Sequence, residues 1–232
     1  MSSLNKLRIL LLTDLHVKLD LDVKSLEKIV KKEKIDLIVV AGDITTNGNT
    51  NQVRKVLEDL ADLELPIFYV PGNMDPKDST DINFHNVHPL HGRIEYFQGY
   101  NFLGLGASTP TPFPTPFTMP ESEVKNILEK AKEQLLSDDS IVLISHNPPF
   151  DSEADIVGSQ KHVGSKSVRE FIEQENPIAI LCGHIHESQA ICYIQNTLCI
   201  NPGAGAHKNA AIIELEKNES GATKASAKLI TF

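Results

Sequence analysis

Tryptophan is missing altogether from this chain of 232 residues, and cysteine and methionine each occur only three times. The cysteines, Cys182, Cys192 and Cys199, are odd in number and none forms a CxxC pair. Each lies among apolar residues near an expected strand, so they read as free, buried thiols of a protein in a reducing cytoplasm. Cations are also in short supply: 22 Lys and Arg against 31 Asp and Glu leave a net charge of −9. A broad footprint on DNA or RNA needs clustered cations, so no extended nucleic-acid surface is expected. A small phosphate-bearing substrate is not excluded, because bound divalent metals invert the local field. No apolar run is long enough to span a bilayer, and residues 1–6 carry no apolar signal region, so no membrane partner is expected. With no repeat, heptad pattern or internal linker, residues 1–232 are expected to form a single domain, its oligomeric state left open.

What the chain does have is a recurring unit. Five aliphatic runs, residues 7–12, 37–41, 67–70, 141–144 and 178–181, each lead into polar groups: Asp14 and His16, Asp43, Asn73, His146, and His184 with His186. An aliphatic run that ends in a polar group reads as a buried strand delivering a side chain at its carboxyl edge. Five such edges converge on one crevice in an open α/β sheet. Amphipathic segments at residues 23–34 and 51–63 separate the first three strands, giving a βαβαβ start with a parallel sheet.

Short strands at residues 87–88, 93–97 and 101–105, separated by Gly92 and by Gly99 with Tyr100, suggest an antiparallel meander. Between residues 107 and 120 lies a Thr/Pro-rich loop whose five prolines rule out helix and central strand. It fits either a stiff surface spacer or a flap over the crevice with Phe113 and Phe117 as apolar contacts. Helices are expected at 121–136 and, after Ser165 as N-cap, at 166–175, with an irregular stretch at 146–162. Strands at 189–194, 197–200, 210–215 and 224–231 complete the chain, the first two joined by a turn at Gln195 and Asn196.

Carboxylate, imidazole and amide oxygen in this grouping suit two divalent ions about 3.5–4 Å apart, able to clamp both oxygens of a phosphoryl transfer. Asp14, His16 and His186 are candidates for one ion and Asn73, His146 and His184 for the other, with Asp43 bridging. A hydroxide bridging both ions then serves as nucleophile, so no serine or cysteine nucleophile is required. Mn²⁺ is favoured, with Fe, Zn²⁺, Co²⁺ and Ni²⁺ as alternatives. Cys182, directly before Gly183 and His184, is read as packing because the set is complete without a thiolate. Singly, Asp14 and Asp43 also read as helix caps, Asn73 and Asp75 as turn formers, and His184 and His186 as a solvated strand end. All of these at once, each at a strand terminus, do not.

Asp14-Leu-His16, Gly42-Asp43, Gly72-Asn73-Met-Asp75, Ser145-His146 and Gly183-His184-Ile-His186 resemble, in order and spacing, the motifs of the calcineurin-like metallophosphoesterase superfamily. The likeness is nearest to its Icc-related phosphoesterases and runs from residue 7 to about residue 201. It implies a four-layer αββα sandwich of two mixed sheets, a dinuclear centre at their edge, and hydrolysis of phosphodiester or activated phosphate ester bonds of small substrates. Phosphomonoesterase or protein phosphatase activity, or a non-catalytic scaffold of the same fold, are the alternatives.

One position departs from the pattern. The superfamily's third motif usually reads Gly-Asn-His-(Asp/Glu), its histidine contacting phosphate or protonating the leaving group, and here that position is Met74. Asp75 is retained as a candidate catalytic residue beside Asp43 and Asn73. His162 is the best-placed substitute for the missing histidine, against the alternative that it packs the following helix. His85, His88 and His91, interrupted by Pro89, read as a coincidental run on strands, and His207 as a loop residue.

Overall fold

The computed structural model describes residues 5–17, 21–135, 140–218 and 221–232. In chain order the strands and helices are β1 (Asn5–Leu12), α1 (Val23–Glu33), β2 (Leu37–Ala41), α2 (Thr50–Ala61), β3 (Ile67–Val70), β4 (Val87–Pro89), β5 (Ile94–Phe97) and β6 (Tyr100–Leu105). They continue with α3 (Glu121–Lys132), β7 (Ile141–Ser145), β8 (Ile156–Val157), β9 (Lys161–His162), α4 (Lys166–Glu175) and β10 (Ala179–Leu181). Then come β11 (Ala190–Ile194), β12 (Thr197–Asn201), β13 (Asn209–Lys217) and β14 (Thr223–Thr231). Helices α1, α2 and α4 begin where side chains satisfy the free backbone N–H groups: Asp22 accepts from Ser25, Asn49 and Gln52 form a reciprocal box, and Ser165 accepts from Val168.

Two six-stranded sheets result, in the orders β14-β13-β1-β2-β3-β4 and β11-β12-β10-β7-β6-β5. Each is mixed: β1 to β4 are parallel with β13 and β14 antiparallel, and β6, β7, β10 and β12 are parallel with β5 and β11 antiparallel. Alternation along each strand sorts the side chains into layers. Leu7, Ile9 and Leu11 of β1 face inward and meet Phe102, Val142, Ile144, Leu181 and Ile200 of the other sheet. Leu10 and Leu12 face outward under Leu26 of α1 and Val53, Leu57 and Leu60 of α2. On the far side Leu103, Leu143 and Ile180 lie under Val124 and Leu128 of α3 and Val168 and Ile172 of α4. Three apolar layers between four structural ones make the expected αββα sandwich. The inner strands β2, β3 and β10 are buried and apolar on both faces because both faces are covered.

Three expectations need correction. Residues 87–88 do not open a meander: β4 joins the first sheet, parallel to β3, and only β5 and β6 form a hairpin. Val87 is buried and Pro89 closes an edge strand, where its missing N–H costs no ladder bond. The stretch 146–162 is not wholly irregular, since β8 and β9 pair within it. The helix expected at 121–136 is seen to Lys132, and Leu136 falls outside the described residues. Among the described residues no helix is long and apolar enough to cross a membrane.

Candidate metal centre

The two sheets face each other so that the carboxyl ends of β1, β2, β3, β7 and β10 open on the same edge. Backbone bonds then stitch the loops beyond them together. Asp14 N–H donates to Gly42 O at 2.9 Å, His16 N–H to Asp43 O at 3.0 Å and Gly183 N–H to His146 O at 3.2 Å. The last of these ties the loops after β7 and β10 together, and His184 N–H crosses to the other sheet, reaching Asp14 Oδ2 at 2.9 Å. Asp14, His16, Asp43 and His184 all have left-handed backbones, with φ of 50°, 47°, 49° and 70°. Non-glycine residues adopt that region at a cost and persist there when the surroundings demand it. Two glycines show how tight the loops are. A Cβ on Gly72 would lie 2.1 Å from Asp43 Oδ1, and one on Gly183 would lie 1.9 Å from Thr13 Oγ1.

Six of the seven expected ligand side chains form two groups: Asp14, His16 and His186, and Asp43, His146 and His184. Within each, one ligand atom per residue lies within 4.8 Å of the others. The seventh, Asn73, adjoins the second group, its Oδ1 3.0 Å from His146 Nε2. Asp43 faces both groups, with Oδ1 3.4 Å from His146 Nε2 and Oδ2 3.7 Å from His16 Nε2.

The protonation pattern is what a cation needs. His146 Nδ1 lies 2.8 Å from Ala41 O, which can only accept, so Nδ1 carries the proton. Burial holds the His146 pKa below the ordinary histidine value against the pull of Asp14, so the ring is neutral and Nε2 is a bare lone pair. That lone pair faces Asn73 Oδ1 at 3.0 Å and Asp43 Oδ1 at 3.4 Å, the latter an acceptor once Asp43 is ionised. In the first group His16 Nε2 and His186 Nε2 approach to 3.2 Å, and His186 Nε2 sits 3.2 Å from Asp14 Oδ1. Ligand atoms converging on each group, with the His146 tautomer fixed by the Ala41 carbonyl and the His16 ring oriented by the Thr46 hydroxyl, fit a bound divalent ion.

The charges agree with the geometry. Burial would raise Asp14, but the His186 hydrogen bond, the pull of any positive charge on His146 or His186 and the Thr13 hydrogen bond outweigh it and bring its pKa to about 2. Asp43 goes the other way: burial, then the charges of Asp14 and Asp75, push it well above the usual carboxylate range. Burial, reinforced by His146, lowers His184 to about 3. His186 is raised by its hydrogen bond to Asp14, and the crowded carboxylates beside the neutral His146 and His184 favour positive charge placed between them.

The remaining candidates fall elsewhere. Asp75 is fully buried and accepts from the backbone N–H groups of Ile44, Thr45 and Gly72 and from the Thr45 hydroxyl. It therefore shapes the loops carrying Asp43 and Asn73, and belongs to neither group. Met74 is half-buried, its N–H bonded to Asp43 Oδ1 at 2.7 Å. His162 lies outside both groups: Nδ1 bonds Asp155 Oδ1 at 2.6 Å, and Nε2 is 3.6 Å from Asp151 Oδ1. Cys182 is buried with its thiol on Ile200 O, and all three cysteines are free. His88 packs edge-on against Phe68, while His91 accepts from Gly106 N–H and packs on Phe117.

Sequence reading overlooked Thr13 and Thr46. The Thr13 hydroxyl bonds Asp14 Oδ2 at 2.8 Å, and Thr46 Oγ1 lies 2.9 Å from His16 Nδ1. Hydroxyls carry no spacing signal of their own, and Thr46 reaches His16 only through the fold, across 30 positions.

The Asp155 hydrogen bond, aided by the charges of Asp155 and Asp151 and opposed by burial, raises the His162 pKa above the ordinary value. The stability this pair contributes is therefore present below pH ~6.5 and is lost as pH rises through the raised value. A histidine titration by NMR should place His162 above the ordinary value, and Asp155→Asn should bring it down. An unshifted His162 contradicts the pairing.

A calcineurin-like phosphoesterase family profile matches residues 7–188, spanning every group described above. The chain is 38% identical over 217 residues to the uncharacterized protein MJ1162 of Methanocaldococcus jannaschii, covering 91% of this chain and 94% of that one. It is 26% identical over 168 residues to a probable glycerophosphodiester phosphodiesterase, GpdQ, of Arcobacter nitrofigilis, covering 67% of this chain and 58% of that protein. Its fold is similar to the crystal structure of TT1561 of Thermus thermophilus, with a TM-score of 0.67 at 16% identity over 94% of this chain and 97% of that one. From residues, fold and profile together, this chain belongs to the calcineurin-like phosphoesterase family.

Proposed function

We propose that this chain is a metal-dependent hydrolase of small phosphodiesters, or of phosphate esters with acidic leaving groups. The observation that carries this reading is the bare His146 Nε2 aimed at Asn73 Oδ1 and Asp43 Oδ1, beside a second group of the same chemistry. Asp14, His16 and His186 would hold one ion and Asn73, His146 and His184 the other, with Asp43 contributing to both; Mn²⁺ is the favoured ion. When bound, divalent ions lower the pKa of a coordinated water and neutralise charge on the reacting phosphate.

The chain's own residues do the rest. The Ala41 carbonyl and the Thr46 hydroxyl fix which nitrogen of His146 and His16 faces the centre. The Thr13 hydroxyl and the His184 N–H hold Asp14 Oδ2, leaving Oδ1 toward His186. Met74 N–H holds Asp43 Oδ1, so that the carboxylate stays between the groups.

Met74 sets the preference among esters. A thioether cannot protonate a departing alkoxide, and general acid catalysis typically contributes 10²–10⁴-fold. Good leaving groups do not need it, which favours diesters with acidic alcohols and is in keeping with the relative named as a probable diesterase. With Mn²⁺ present, bis-p-nitrophenyl phosphate should be cleaved at least ~10²-fold faster than an alkyl phosphomonoester, and Met74→His should narrow that gap. Equal rates on both classes in the unsubstituted protein would sink the assignment.

A further inference from the structure

His184 occupies the middle of a very tight turn. Ile185 N–H donates to Gly183 O at 2.8 Å across it, and its own φ is 70°. A bond from residue i+2 back to residue i, with a positive φ between them, is a γ-turn of the rarer, strained hand. A non-glycine residue stays in such a turn only where its surroundings over-determine it, and strain of this kind collects at functional positions. Two constraints act on N–H groups: Gly183 N–H is held by His146 O and His184 N–H by Asp14 Oδ2. The carbonyls on either side of His184 are held by another residue.

That residue is Asn201, the last of β12. Strand β12 runs parallel to β10 with Ile200 beside Leu181, so residue 201 arrives next to the loop that carries His184 and His186. Its side chain is fully buried. Nδ2 donates to Ile185 O at 2.9 Å and to Ala154 O at 3.2 Å, and it lies 3.5 Å from Gly183 O. Oδ1 accepts from Gly203 N–H at 2.9 Å. The amide cannot be reversed, because its oxygen would then face carbonyls that only accept. One planar group therefore spans the carbonyls before and after His184, and the second of these belongs to the residue between the two histidines. Its far end is anchored too: Ala154 precedes Asp155, whose carboxylate accepts from Asp151 and Ser152 N–H.

Resting on the phosphoesterase reading above, we propose that Asn201 is a positioning residue, which sets the His184 turn before metal binds and thereby sets the affinity for the ion that His184 would hold with Asn73 and His146. It acts through the Gly183 and Ile185 carbonyls and touches neither substrate nor reacting atoms.

The test is a calorimetric Mn²⁺ titration of Asn201→Asp, which keeps an acceptor for Gly203 N–H and loses both donors. The ion at His184 should bind ~10–100-fold less tightly, the range typical when a group behind a metal ligand is lost. Diffraction at the manganese edge should show that loss at Asn73, His146 and His184. In the metal-free proteins, NMR backbone couplings of His184 should report a positive φ in the unsubstituted chain and a departure from it in the variant. Gln189→Ala serves as the control for general loosening. It removes the 2.7 Å bond from Gln189 Nε2 to Pro202 O, beside Asn201, and should leave both ions and the turn as they are. Asn201→Ser can still donate one bond and should fall between; it decides if Asn201→Asp does not fold. Unchanged Mn²⁺ affinity, an unmoved His184 φ, or an equal loss in Gln189→Ala overturns the proposal, while two ions on the unsubstituted protein keep the phosphoesterase reading. An unsubstituted protein that binds no Mn²⁺ removes both.

Discussion

Replacing Asp43 with asparagine should abolish turnover and, in the same protein stripped of metal, raise the melting temperature. The two effects have one origin. Asp43 is 2% exposed, faces both ligand groups and crowds Asp14 and Asp75, so its ionised form is penalised in the folded chain without cations. A carboxylate whose folded pKa is raised contributes stability only while protonated. That contribution is complete below pH ~4 and is lost as pH rises through the raised value, leaving a net penalty at neutral pH. Asparagine keeps the oxygen that accepts from Met74 N–H and removes the charge. The gain should therefore be largest near pH 7 and vanish in acid; each ~1 kcal/mol recovered moves the midpoint by about 2–4 °C in a domain of this size. Activity should fall by at least ~10²–10³-fold, as for loss of one group that stabilises transition-state charge. Differential scanning fluorimetry of the chelated proteins and assay on bis-p-nitrophenyl phosphate read the two halves. Retained activity, or a lower melting temperature near pH 7, contradicts the placement of Asp43 between the ions.

Removing metal from the unsubstituted protein should have the opposite sign on stability and the same sign on activity. Ions that bind only the folded chain stabilise it by ~2.7 kcal/mol at one hundred times their dissociation constant. Chelation followed by dialysis should thus lower the melting temperature by about 5–10 °C for each ion removed, at ~2–4 °C per kcal/mol, and eliminate turnover. Adding back Mn²⁺ should restore both. In Asp43→Asn the chelation-induced drop should shrink, because one contributor to both ions is gone. Indifference of the unsubstituted protein to a chelator would count against the whole assignment.

Much of this was legible in the chain because the site sits where strand and loop chemistry change abruptly. The runs 7–12, 37–41 and 67–70 are apolar on both faces, marking covered parallel strands, and the first polar residues after them could only lie at the sheet edge. Placement of β4 was not legible. Residues 87–89 are too short to reveal a face, and Asn86 O accepting from Ile67 N–H, a contact distant in sequence, fixes them beside β3. The same limit hid Thr46, which meets His16 across 30 positions. His162 shows the converse: its position after His146 suggested the centre, but Asp155, buried and bonded to Asp151, Ser152 and Gly164 backbone N–H groups, holds it in a separate turn. Asp75 likewise shares a motif with Asn73 yet spends its acceptors on backbone donors, so its effect on the centre passes through loop geometry.

The central claim is that two ions share Asp43. Its most direct test is metal content by elemental analysis of protein dialysed against Mn²⁺, paired with a crystal structure recorded at the metal's absorption edge. Two ions per chain are predicted, one on Asp14, His16 and His186 and one on Asn73, His146 and His184. One ion per chain or fewer, or ions bound away from these residues, would contradict it.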